Sequence, residues 1–200
     1  MNENEISIIW ITRICPQEDS YLNDFLDKLK NINCEKIIVG HTNLVRDDFR
    51  YVPFYELGLD SMKLICHKKN IGVLASTKNY CLVLHADTCP DLSFFNEIKN
   101  LSLDDLTAIC PVGFLDDGQR GLTWCNYAGI HKDPNEEYST NSYIGGCCIF
   151  GSKNMFLKNP WNQNLRHADE EDVVYSRDLF NNNINQVCNS KLIMNMKRSQ

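Results

Sequence analysis

Long apolar runs, large basic clusters and zinc-spaced cysteine pairs are all missing from this 200-residue chain. No run approaches the roughly 18 consecutive apolar residues of a membrane-crossing helix, so no span is expected. The polar opening Met1-Asn-Glu-Asn does not read as a secretory leader. Basic residues cluster only at Lys68-Lys69 and Lys197-Arg198, and the net charge is -6. A phosphate backbone needs clustered Lys and Arg, so the charge argues weakly against nucleic acid as the main partner. The ten cysteines form no CxxC pair of zinc-finger spacing. Most lie inside apolar strand-like runs (Cys66, Cys81, Cys110, Cys147, Cys148, Cys188). There they act as small buried hydrophobes in a reducing compartment, not as a disulfide framework. A soluble, cytoplasmic protein is the expectation. Internal repeats and linker-like composition are also absent, so residues 1–200 are read as one domain with enough chain for a real core.

What is present is a succession of short, branched apolar segments with polar ends. Glu5 to Thr12, Lys36 to Gly40, Met62 to Cys66, and the run around Leu82 read as buried strands. Leu22, Phe25, Leu26 and Leu29 recur at helical spacing after a cap at Asp19 or Ser20. Leu44 to Leu59 carries mixed signals and is assigned nothing. Leu92 to Leu101 reads as a helix, Leu106 to Pro111 as a fifth strand, and Tyr143 to Phe150 as a strand with a double glycine. A helix through Val173, Val174, Arg177, Leu179 and Phe180, and a last strand from Ile184 to Met194, complete the pattern. This order suggests an α/β fold with an open, mostly parallel central sheet and right-handed crossovers.

Four constellations carry chemistry, each with an ordinary structural reading beside it. The buried run Cys81 to Leu84 ends in His85-Ala86-Asp87, two potential metal ligands where such sheets bind ligands. The plain reading is a strand end closed by an Asx-turn. Asn70-Ile-Gly72, placed after a strand, either cradles a diphosphate or turns the chain. Gly145-Gly146 either leaves room for a sugar or forms a bulge. Asp169-Glu-Glu-Asp172 either caps a helix or, through mutual repulsion, poises a general base. The polar, aromatic stretch Asp116 to Tyr143 is a candidate lid, with Trp124 and Tyr127 as acceptor contacts or as loop packing.

Over about Ile6 to Phe180 these motifs resemble the family 2 type of nucleotide-sugar-dependent glycosyltransferases with the GT-A (Rossmann-like) fold. The carriers are Leu84-His-Ala-Asp-Thr-Cys-Pro90 and Glu171-Asp-Val-Val-Tyr-Ser176. The resemblance implies that Asp87 ends an HxD variant of the DxD motif and binds Mn²⁺ or Mg²⁺, with His85 as second ligand. It implies Asp172 as the base that deprotonates the acceptor hydroxyl, with Glu171 as fallback. Donor contacts would come from Thr12, Arg13, His41, Asn70, Gly72, Lys78, Ala86, Gly145 and Gly146. The expected donor is a nucleotide diphosphate sugar, UDP-sugar first, and the acceptor a glycan or other hydroxyl, with inversion. His41 stands where the family has its uracil-binding aspartate. Further domains or subunits, and a chain that is one domain of a larger transferase, are compatible with this reading. Nucleotidylyltransferases fit less well, because their Gly-rich, basic signature is missing from Thr12 to Asp19. The rival of a different class is a catalytically inactive sugar-nucleotide or glycan-binding module.

Overall fold

The computed structural model describes residues 1–13, 15–54, 64–121, 123–134, 136–139, 141–166 and 169–197. Its first strand, β1 (Ile6–Ile11), is buried at every position. It lies between two parallel neighbours, β2 (Glu35–Gly40) and β4 (Tyr80–His85). Side chains alternate across a strand. Ile6, Ile8 and Trp10 therefore enter one core with Leu22, Phe25 and Leu26 of helix α1 (Pro16–Lys28). Ile9 and Ile11 enter a second core on the other face of the sheet. This two-sided burial explains why β1 reads as a continuous apolar run.

The remaining strands are β3 (Arg50–Pro53), β5 (Thr88–Pro90), β6 (Thr107–Leu115), β7 (Trp124–Asn126), β8 (Ser142–Ile144), β9 (Cys148–Ser152) and β10 (Asn185–Met196). Among the described residues, eight of the ten strands form one sheet in the order β3-β2-β1-β4-β9-β6-β10-β5, and β7 pairs with β8 in a separate ribbon. The β3-β2-β1-β4 half is parallel throughout. β9 runs antiparallel to β4 and β6, while β10 follows β6 in parallel with a bulge between Asn189 and Ile193. The expected α/β architecture, a large and mostly parallel sheet flanked by helices, is present.

Four further helices complete the layers: α2 (Ile65–Ala75), α3 (Leu92–Glu97), α4 (Lys153–Lys158) and α5 (Glu171–Asn181). Several expectations are corrected here. Met62 and Lys63 of the expected third strand lie outside the described residues, and Ile65-Cys66 opens α2 instead. Asn70 and Gly72 consequently sit inside a helix and not in a phosphate-cradling loop. A Cβ at Gly72 would lie 2.4 Å from Ile9 Cγ2 and 3.2 Å from Val39 Cγ2, so the glycine lets α2 seat against β1 and β2. α1 begins at Pro16, whose missing N–H costs nothing in the first turn, and not after a cap at Asp19 or Ser20. Asp19 instead accepts hydrogen bonds from Thr42 and Asn43, tying down the exit of β2. The expected Tyr143 to Phe150 strand is split into β8 and β9 by the turn at 145–147.

Gly72→Ala is expected to push a methyl into the stiff β-branched side chain of Ile9, at a cost of about 1–3 kcal/mol. For a chain of this size each kcal/mol lowers Tm by about 2–4 °C. A thermal melt within 1 °C of wild type would show that α2 is not held this closely.

Candidate active site

The carboxyl ends of β1, β2 and β4 share one edge of the sheet, and the antiparallel β9 begins there. Residues just past each end therefore converge. Thr12 is buried and fully used in structure: its N–H and hydroxyl both donate to Val39 O (2.9 and 3.2 Å), and its carbonyl accepts from Lys68 Nζ at 2.9 Å. Gly40, with φ +126°, makes this crossing possible, since a Cβ there would lie 2.5 Å from Thr12 O. His41 follows, half-buried, in the loop fastened by Asp19.

Arg13 donates its backbone N–H to Glu18 Oε2 at 2.8 Å and its Nε to Glu18 Oε1, and it also feels the charge of Asp87. Asp87 is held in place from its backbone. Lys197 N donates to Asp87 O at 2.7 Å, and the buried Trp10 indole donates to Thr88 O at 2.8 Å. Burial pushes the Asp87 carboxyl above its usual range, opposed by the Thr88 hydroxyl and by Arg13. His85 stands two residues earlier, its backbone N–H on Cys147 O at 3.0 Å. Ala86 points into the apolar core, which leaves only its backbone for a ligand.

Among the described residues no group of three or more His, Cys, Asp or Glu side chains could enclose a metal ion. His85 and Asp87 offer one imidazole and one desolvated carboxylate. Hard divalent cations in nucleotide sites take one or two protein carboxylates, with phosphate oxygens and water as the other ligands. The donor set fits that arrangement and no closed protein cage.

From His85 the backbone leads through Cys147 to Gly146, whose N–H donates to Asp172 Oδ2 at 3.1 Å. This links the β4 end to the head of α5. The acidic cluster is not a conventional cap, because the N-cap residue Glu170 accepts no hydrogen bond through its side chain. Asp169 closes a turn with Arg166 instead, and Glu170 adopts the left-handed φ of 55°, a conformation that costs a non-glycine residue free energy. His167 and Ala168 lie outside the described residues. Burial, then the charge of Glu171, raises the Asp172 carboxyl above its usual range. Gly146 N–H, Lys69 and Val173 N–H oppose that rise.

Lys69 was not a predicted site residue, yet it is buried here with its Nζ 3.9 Å from Glu171 Oε1 and 5.6 Å from the Trp161 ring centroid. Adjacent lysines in a net acidic chain read as solvated surface, and nothing in the local pattern marks them as interior. Asn70 serves this arrangement structurally. Its side chain exchanges two hydrogen bonds with the Trp161 backbone, Nδ2 to O at 2.8 Å and N to Oδ1 at 2.9 Å. Lys78 is placed elsewhere, before the start of β4, roughly 20 Å from this edge at 3.3 Å per strand residue. It is too far to assist a departing diphosphate. Trp124 is also reassigned: it is fully buried in the second core against Tyr138. Tyr127, 42% exposed and stacked on Tyr143, remains available to a ligand.

No family model matches this sequence, and no curated protein matches it either. Solved structures do match. Staphylococcus aureus TarS 1-349 in complex with UDP-GlcNAc superposes with a TM-score of 0.67 at 11% identity, covering 98% of this chain and 59% of TarS. TarS 1-349 alone gives 0.66 at 12%, covering 96% and 60%. GalNAc-T7 with UDP, GalNAc and Mn²⁺ gives 0.65 at 8%, covering 96% of this chain and 44% of that one. The fold is GT-A. The chain spans roughly half the length of these GT-A structures.

Because the native Asp172 pKa lies above its unfolded value, its contribution to stability is full below the unfolded pKa. It is lost as pH rises through the native one. Asp172→Asn, which never ionises, is therefore expected to melt higher than wild type at pH 7–8, with the gain vanishing near pH 3. Melts from pH 3 to 8 check this, and a variant less stable at pH 8 would show that the carboxylate is held favourably.

Proposed function

We propose that this chain is a glycosyltransferase domain that moves a sugar from a nucleotide diphosphate sugar, UDP-sugar first, to a hydroxyl acceptor with inversion. One observation supports the reading: on a GT-A sheet, the end of β4, two residues before Asp87, is joined to Asp172 at the head of α5 through the Cys147-Gly146 backbone. The neighbours' UDP ligands support the donor class, and the Mn²⁺ of GalNAc-T7 supports a divalent ion.

Asp87, with His85 beside it, would hold Mn²⁺ or Mg²⁺. When bound, the ion supplies Lewis-acid stabilisation of the leaving diphosphate. Arg13 adds a positive charge near Asp87, while Glu18 keeps its guanidinium oriented. The expected room for a sugar at Gly146 is taken by Lys69, Glu171 and Asp172, which crowd the place of its side chain, and its N–H fixes one oxygen of Asp172. Asp172 accepts the acceptor's hydroxyl proton as that oxygen attacks the anomeric carbon from the face opposite the leaving group. A buried carboxylate with a raised pKa is a stronger base than an exposed one, which suits this role. Glu171 is turned inward to Lys69, so it is not the first choice for the base.

A thermal-shift screen of UDP, GDP, dTDP and CMP, each with and without Mn²⁺, tests the donor site. Ligand at 100 times its Kd stabilises by about 2.7 kcal/mol, which raises Tm on the order of 5–10 °C here. The expected result is a Mn²⁺-dependent shift with UDP that Asp87→Ala abolishes. No shift with any nucleotide, from folded protein, would refute the donor site. A shift without sugar turnover on any acceptor would favour the inactive binding module.

A further inference from the structure

The two acids that open α5 are neighbours in sequence but occupy different surroundings. Glu171 is only 4% exposed and faces inward, with its Oε1 3.9 Å from Lys69 Nζ, and Lys69 is itself 1% exposed. Asp172 is half-buried and spends its side-chain bonds on two backbone N–H groups, Gly146 at 3.1 Å and Val173 at 2.9 Å. Gly146 separates them. A Cβ there would lie 3.2 Å from Lys69 Nζ, 3.3 Å from Glu171 Oε1 and 3.5 Å from Asp172 Cβ. One peptide unit therefore covers the ion pair and also donates to the base. Trp161 closes the cavity behind the ammonium, its ring centroid 5.6 Å from Nζ and stacked 4.2 Å from Tyr175 of α5.

We propose that Lys69 is the positioning residue that decides which of the two acids acts as base. Its ammonium engages Glu171 as a buried counter-ion and leaves Asp172 as the carboxylate at the head of α5 that exchanges a proton with the acceptor. This deepens the glycosyl-transfer reading and rests on it. Without the ammonium, Glu171 would be a buried charge with its counter-ion removed, and its field would raise Asp172 without Lys69 to oppose it. With it, the inner carboxylate is neutralised by charge pairing, so the outer one can titrate alone. Among the described residues, the other titratable groups that feel the charge of Asp172 are Cys66 of α2, Cys125 of β7 and Tyr143 of β8. Burial raises the Cys66 and Cys125 thiols to about 11 and Tyr143 to about 12, so none of these three carries charge at neutral pH. Among the described residues, Lys69 is the cation that acts on Asp172.

The test compares Lys69→Met, Lys69→Arg and the neutral pair Lys69→Met/Glu171→Gln by two readouts. The first is the carbon-13 titration of the Asp172 carboxyl, read in the folded protein with no substrate. Lys69→Met is expected to move its midpoint up by about one pH unit, a tenfold change in proton affinity. Lys69→Arg keeps the wild-type midpoint, and the double variant returns to it. The second readout is the pH profile of kcat/KM: the acid limb follows the same order, and rates converge at high pH. An unmoved Asp172 midpoint in folded Lys69→Met would overturn the proposal, as would a rate loss equal at every pH. If Lys69→Met does not fold, an Asp172 midpoint displaced from wild type in the folded double variant would overturn it. The titration needs no turnover, so failure of sugar transfer and failure of this proposal remain distinguishable.

Discussion

Asn70 gives Trp161 the two hydrogen bonds that a neighbouring strand would have given it, from the middle of a helix. A buried amide that satisfies both backbone groups of another residue fixes distance and orientation together. Trp161 then stacks on Phe156 of α4 and Tyr175 of α5, so three helices are registered through one indole. Tyr175 adds a bond from its hydroxyl to Asn159 O at 3.0 Å. The head of α5, with Glu171 and Asp172, is placed by this stack and not by a cap. Breaking the Asn70 amide would leave buried polar groups unsatisfied and would free the helix that carries Lys68 and Lys69.

The sheet edge carries two carboxylates in similar circumstances. Asp87 and Asp172 are both desolvated, and each feels a cation, Arg13 for one and Lys69 for the other. In neither case does a direct bidentate pair form. Arg13 is committed to Glu18, and Lys69 to Glu171. The two acids proposed for the chemistry are thus left under a partial field, with a neighbouring acid engaging each cation. Such an arrangement is costly for stability and useful for proton or cation exchange.

The parts of the fold legible from the chain were those with one strong pattern. β1 and β4 read correctly because continuous apolar runs report strands buried on both faces. The GT-A fold was legible too, through the resemblance carried by residues 84–90 and 171–176. α2 was misread because it is buried almost all round. Ile65, Cys66, Lys68, Lys69, Asn70, Gly72 and Val73 are all interior, so it has no polar face to give a helical period. β3 was missed because it is four residues long and mostly exposed at the sheet margin. Trp124 looked available only because its neighbours in sequence are polar, whereas its contacts come from β8, Tyr138 and Lys132.

The sheet has a seam where the antiparallel β9 meets β4. On one side stand strands from the first 90 residues, and on the other mainly strands from the last 95. Lys69 belongs to the earlier side and Glu171 to the later. A ribosome delivers the amino-terminal half first. Throughout that interval the ammonium must stay in water, because burying it without a counter-ion is prohibitive. The α2 contact with the parallel half therefore cannot mature into its final packing until about a hundred further residues have been made. The order of synthesis sets the order of assembly, and this edge of the sheet cannot close before α5 has been made.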